Sequence, residues 1–178
     1  MLKTFGWGSL WFACIAILST VAASAQQVPE AGGAPVPPTL FTAKKVFVSN
    51  AGADSGLFPH PFSGSPDRPY NQFYAAVQGW GRYELVAEPQ DAELVFEIQL
   101  IGPNGPANPN KQKGASDPLP MFRLSILDRK THYILWALTE SIAPANLQKT
   151  HDHNFDEALA TLTLDLKRVT TKSPAGAP

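Results

Sequence analysis

Thiol chemistry is almost missing from this chain. The one cysteine, Cys14, lies inside an apolar leader. Without that leader there is no disulfide framework, no thiol nucleophile and no thiolate metal site. An excess of charge of one sign is missing too. Apart from Lys3, thirteen basic and fifteen acidic side chains remain. That balance argues against nucleic acid as a partner, which calls for a basic stripe, and it supplies no polybasic patch for a membrane surface. The short motifs of cofactor and nucleophile chemistry are also lacking. No G-x-S-x-G elbow accompanies the Ser, His and Asp residues. Gly102-Pro103-Asn104-Gly105 has neither the lysine nor the helix start of a phosphate loop. No cofactor and no catalytic residue are expected on these grounds.

What is there begins with an address. Lys3 precedes Leu10–Ala23, an apolar run of about 14 residues, within the length of a signal h-region and short of the ~20 residues of a spanning helix. Ala23-Ser24-Ala25 then offers a small-x-small cleavage site. Residues 1–25 read as a signal peptide with Gln26 as the mature start; the alternative is an uncleaved anchor. Ala13 would suit a lipidation site at Cys14, but Trp11 and Phe12 do not, and the apolar run continues beyond. The expectation is a periplasmic or secreted protein with no stable membrane anchor after cleavage. About 153 residues remain, enough for one domain with a core.

Residues 26–40, holding Pro29, Pro35, Pro37 and Pro38, read as a disordered, extended spacer, and 173–178 as a disordered tail. Between them, residues 41–172 read as a single domain. Phe41–Ser49 has strand composition, and residues 50–66 form a turn-rich loop. Asp67 can cap a helix with Pro69 in its first turn, and Tyr70, Phe73, Tyr74, Val77 and Trp80 recur at helical spacing. Gly79 and Gly81 should end it. Strands follow at 82–87 and 93–101. In the second, Leu94, Phe96, Ile98 and Leu100 share one face, while Glu93, Glu97 and Gln99 occupy a wetter one. After a proline-rich loop at 102–120, strands at 121–127 and 132–142 form a hairpin about Asp128–Thr131. A last helix is expected over 155–169, with Asn154 and Glu157 as a capping pair and a stripe of Phe155, Leu159, Leu162, Leu166 and Val169.

The order β-α-β-β-β-β-α defines an α+β (mixed α/β) fold: a five-stranded mixed sheet with both helices on one face. The helical crossover makes the first two strands parallel, and the rest can meander antiparallel. On that tracing, loops 50–66 and 128–131 leave one end of the sheet and loops 102–120 and 143–153 the other. The segments Lys45–Val48, Tyr83–Val86, Asp91–Glu97 and Leu124–Thr131 leading to Leu135-Trp136 give the chain a fold-level resemblance, over about 44–170, to periplasmic α/β domains. Those are the domains of the curli-secretion lipoprotein family and the amino-terminal domain of the Tol-Pal propeller protein. The resemblance implies a fold and transfers no functional residue; this chain lacks the lipidated cysteine of the lipoproteins.

Chemistry has few places to sit. His151 and His153, with Asp156, have the spacing of metal ligands, yet their position before the last helix suits capping; no metal is expected there. His60, between two prolines, and His132, after the hairpin, read as surface residues. Glu93 and Glu97 are about 13 Å apart along a strand, too far for a glycosidase pair. The aromatic residues Tyr70, Phe73, Tyr74, Trp80 and Trp136 suit a core better than a ligand platform, and Lys111 and Lys113 read as solvated. Three functions stay open. The foremost is a non-enzymatic envelope module that binds another envelope protein. The alternatives are a small-ligand or metal-binding protein using the 143–153 end, and a hydrolase with a dispersed site.

Overall fold

A computed structural model describes residues 34–107 and 116–171. The leader, residues 26–33 of the expected spacer, Lys111, Lys113 and the expected 173–178 tail lie outside them. Apart from Ala34, the described residues belong to one unit, Pro35–Pro178.

The elements are α1 (Thr39–Thr42), β1 (Lys45–Ala53), α2 (Arg68–Trp80), β2 (Glu84–Leu85), β3 (Leu94–Ile101), β4 (Asn104–Ala107), β5 (Ser116–Pro118), β6 (Met121–Asp128), β7 (Ile134–Ser141) and α3 (Gln148–Thr171). Five strands make the main sheet in the order β2-β1-β3-β6-β7, and β4-β5 form a separate two-stranded ribbon. The expected mixed α/β class and five-stranded sheet are therefore present. β3 shows most plainly why. Its alternating sequence buries Leu94, Phe96, Ile98 and Leu100 completely and leaves the residues between them half-buried, as a strand period of two dictates. Val46 and Val48 from β1, and Phe122, Leu124 and Ile126 from β6, extend that face. Phe73 and Val77 from α2, and Phe155, Leu159, Leu162 and Leu166 from α3, close over it.

The pairing corrects the expected meander. β1 pairs in parallel with β2 and also with β3, while β3–β6 and β6–β7 are antiparallel. β2 is only two residues long, so the chain can turn beneath the start of β1 through a single 3-10 turn, Pro89–Asp91. The Glu93 carboxylate fastens this passage by accepting the backbone N–H groups of Lys44 (2.6 Å) and Lys45 (3.0 Å). Since β1 and β3 run the same way, the loops after both emerge at one end, together with the β7–α3 connection. The 128–131 hairpin lies at the other end, where Arg129 donates to the Glu93 and Gln90 carbonyls. The expected tracing, which set His60 opposite His151, is wrong for this reason.

Other boundaries move as well. α3 begins at Gln148, not 155, so Asn154 lies within the helix and caps nothing; its side-chain amide donates to the Ala143 carbonyl (2.9 Å). Asp67 precedes α2 but makes no side-chain cap, and its carboxylate accepts from Asn50 instead (2.9 Å). α2 ends at Gly81, whose φ of 69° is left-handed backbone suited to glycine. Thr39–Thr42 is helical where spacer and strand were expected to meet. Leu40 is fully buried, and its carbonyl accepts from the Tyr83 hydroxyl (3.2 Å).

Candidate functional site

Three loops meet at one end of the sheet, and one face of the sheet is covered by no described helix.

At the loop end, the stretch 54–67 is anchored from within. Leu57 and Phe62 are buried. The Phe62 ring packs against Phe155 (centroids 5.2 Å apart), which in turn meets Phe122 (4.9 Å). Above these rings Arg68 bridges three segments. Its guanidinium donates to Asp152 (2.5 Å), to Asp156 (2.7 Å) and to the Ser63 carbonyl (3.1 Å), and lies 4.2 Å from the Phe155 ring centre. Burial pushes the Asp152 carboxyl up, but the Ser63 amide and the Arg68 guanidinium outweigh it and hold the group below the ordinary carboxylate range.

The residues considered for metal binding are dispersed by this arrangement. His151 and His153 lie in the first turns of α3, about 200° apart around its axis. His151 packs edge-on against Phe62 (5.9 Å). His153 meets Glu157 (3.2 Å) on the exposed side. Asp156 is held by Arg68 and by Gln72 (3.1 Å). Among the described residues, no three His, Cys, Asp or Glu side chains gather as a metal would require. His60 is exposed on the same end as His151, and the Gln148 amide reaches the neighbouring Pro59 carbonyl (3.3 Å).

A cavity of about 460 Å³ opens beside His151. Pro61, Pro118, Pro120 and Pro144 wall it, and Phe62 and Ile142 also line it. Sequence reasoning missed it because the wrong tracing had set Pro61 and Phe62 at the opposite end from the other two segments that line it. The only local hint was apolar residues, Leu57, Phe58 and Phe62, inside a stretch otherwise rich in turn formers. A shallower groove of about 480 Å³ runs between α2 and α3, with Trp80 and Lys167 at its lip.

On the uncovered face, four apolar side chains stand in register, one per strand: Phe47 opposite Val95, Val95 opposite Leu127, and Leu127 opposite Ile134. The first three are half-buried, whereas Ile134 is 61% exposed and its neighbour Tyr133 74% exposed. The row ends at β7, an eight-residue strand at the margin of the sheet. A register shift between Ile126 and Leu127 leaves Leu135 as a bulge in β7. Trp136 and Leu138 point to the core side but are only partly buried. Phe96 fills the core position expected of it, and Trp136 does so in part. Glu97, Gln99 and Arg123 lie beyond the apolar row, where Arg123 donates to Gln99.

No family model matches the chain, and no curated protein sequence does. Its fold is similar to several solved structures. The PelC dodecamer of Paraburkholderia phytofirmans is 12% identical, with 73% of this chain and 89% of that one covered and a TM-score of 0.39. A Xanthomonas campestris protein of the DUF330 family is 12% identical, with 72% and 82% covered and a TM-score of 0.42. Lipoprotein B of Nitrosomonas europaea is 12% identical, with 72% and 83% covered and a TM-score of 0.39. The last is by name a lipoprotein. At these values no ligand, partner or residue role passes to this chain. Among the described residues no helix is long and apolar enough to cross a membrane.

Proposed function

We propose that the chain is an exported, non-enzymatic interaction module of the cell envelope that binds another envelope protein across the uncovered sheet face and the β7 edge. The observation that carries this reading is the in-register row Phe47–Val95–Leu127–Ile134, which crosses the face and ends on an open strand. An open edge presents unpaired backbone donors and acceptors to an incoming strand. Soluble proteins usually guard such an edge with lysine, proline or a bulge. β7 has the bulge at Leu135 but no Lys, Arg or Pro between Ile134 and Ser141. Export is supported by Lys3, the Leu10–Ala23 run and Ala23-Ser24-Ala25.

The test compares the mature protein with an Ile134→Lys/Ala137→Lys variant as bait for its own envelope fraction, with captured proteins identified by mass spectrometry. Both positions are exposed, so the variant should fold, which its circular dichroism checks. A protein retained by the mature chain and lost by the variant supports the reading. Identical captures from the two baits refute this surface.

A further inference from the structure

We propose that the groove between α2 and α3 binds a free straight-chain fatty acid of medium length, with its carboxylate at Lys167. The groove lies between the helices, away from the uncovered face, and is independent of the sheet-face reading. Its volume, about 480 Å³, falls within the ~300–1,000 Å³ of small-molecule sites.

The two helices run side by side in the same direction. Arg68 and Gln72, at the start of α2, meet Asp156, and Trp80, at its end, meets Lys167. The groove follows this seam. Asp156 and Lys167 both line it, and at 1.5 Å per residue they stand about 16 Å apart along α3. Between them the floor is Leu159 and Thr163, 4% and 5% exposed. The Thr163 hydroxyl donates to the Leu159 carbonyl (2.9 Å), so its proton is already engaged within the helix. Leu164 lines the exposed side. A seam of this length with an apolar floor suits an unbranched alkyl chain. With C–C bonds of about 1.52 Å an extended chain advances about 1.25 Å per carbon, so about ten to twelve carbons span the distance between its ends.

Gly79 keeps the seam open. It lines the groove and lies within α2, where glycine is a poorer helix former than alanine. Unlike Gly81 it has no left-handed φ. No atom of the described residues outside its own turn of helix lies within 4 Å of where its Cβ would be. Neither backbone conformation nor packing against those residues asks for glycine there; room for a ligand does.

Charge sets the head group. Lys167 is half-buried, and among the described residues its ammonium pairs with no carboxylate; its partner is the Trp80 ring, 5.5 Å from Nζ to the ring centre. A fatty-acid carboxylate can accept a charge-assisted hydrogen bond from it while the chain lies along the seam. At the other end Asp156 is already held by Arg68 (2.7 Å) and Gln72 (3.1 Å), so that end does not call for a cation.

The experiment titrates decanoate, decanol and decyltrimethylammonium, each below its micelle concentration, into the isotope-labelled mature protein and follows the Trp80 indole N–H and Leu164 methyl signals by NMR. Saturable shifts with decanoate are expected. Decanol, which keeps the chain but carries no charge, should bind about three- to ten-fold more weakly, the value of one charge-assisted hydrogen bond at a half-exposed site. Decyltrimethylammonium should bind more weakly still. Lys167→Met, which keeps the stem and removes the charge, should bring decanoate down to the decanol affinity. Gly79→Leu, which fills the seam from a position with room for a side chain, should abolish binding of all three. Thermal unfolding of both variants checks that they fold. The proposal is overturned by no saturable shift with decanoate, by equal binding of decanoate and decanol, by tighter binding of decyltrimethylammonium, or by unchanged decanoate affinity in either variant. Binding to phosphatidylglycerol vesicles that both variants lose, with decanoate inert, overturns it in favour of a membrane surface.

Discussion

Replacing Arg68 with Met should loosen the loop end of the fold without opening a large void, because Met keeps much of the stem and removes the charge and the donors. The size of the loss follows from exposure. Breaking a fully buried ion pair from one side costs about 3–5 kcal/mol, and an exposed pair contributes about 0–1 kcal/mol. The Arg68 and Asp152 side chains are 15% and 23% exposed, near the buried limit, whereas Asp156 is 54% exposed and adds little. We expect Arg68→Met to destabilise by about 2–3 kcal/mol, most of it from leaving Asp152 without its partner. In a domain of this size that lowers Tm by roughly 4–12 °C. Urea unfolding of Arg68→Met, Asp152→Asn and the double variant measures it. The double variant should lose less than the sum of the single losses, since Asp152→Asn removes the charge that Arg68→Met strands. A loss under about 0.5 kcal/mol for Arg68→Met, or strictly additive losses, would refute the view of Arg68 as the clamp between loop, α2 and α3.

Acid should weaken the fold through three carboxylates held below their ordinary range: Glu93 by the Lys44 and Lys45 amides, Asp128 by the Thr131 amide and hydroxyl, and Asp152 against its own burial by Ser63 and Arg68. A depressed folded-state pKa gives stability that is present above the unfolded value and lost as pH falls through the folded one. Thermal unfolding from pH 7 downward should therefore show a decline beginning near pH 4–5, flattened in a Glu93→Gln/Asp128→Asn/Asp152→Asn variant; an equal acid decline in that variant contradicts the assignment. Phe96→Ala should cost about 3–5 kcal/mol and Trp136→Ala less, about 1–3 kcal/mol, because Trp136 is only partly buried; equal losses in denaturant unfolding would contradict the edge position of β7. At Gly105 an added Cβ would lie 2.6 Å from the Asp117 carbonyl, so Gly105→Ala should separate β4 from β5, seen as faster amide exchange in the ribbon; unchanged exchange would count against that close approach.

The fold was legible wherever one physical signal dominated. Strand alternation in Leu94–Ile101 and helical spacing from Tyr70 to Trp80 and from Phe155 to Val169 each require a buried face, and each gained one. What alternation does not encode is which strand lies beside which. The sequence of β3 suits a parallel neighbour as well as an antiparallel one, and the choice was made by a strand of two residues. β2 is so short that the chain turns under Lys45 and pairs β3 with β1 instead of folding back on itself, with the Glu93 carboxylate holding the turn. One such reversal decides where every loop emerges. It brings the stretch holding Leu57 and Phe62 beneath α3, places Arg68 between Ser63, Asp152 and Asp156, and sets His151 beside Pro61 and Pro120. His151 could be read from sequence as a helix-entry residue but not placed, because Phe62, Pro61 and Pro120 lie about 30 to 90 positions away; His153 meets Glu157, a neighbour on its own helix. The loop-end site is thus a product of strand order, whereas the Phe47–Ile134 row follows from alternation within each strand; of the two surfaces, the row was the one within reach of the sequence.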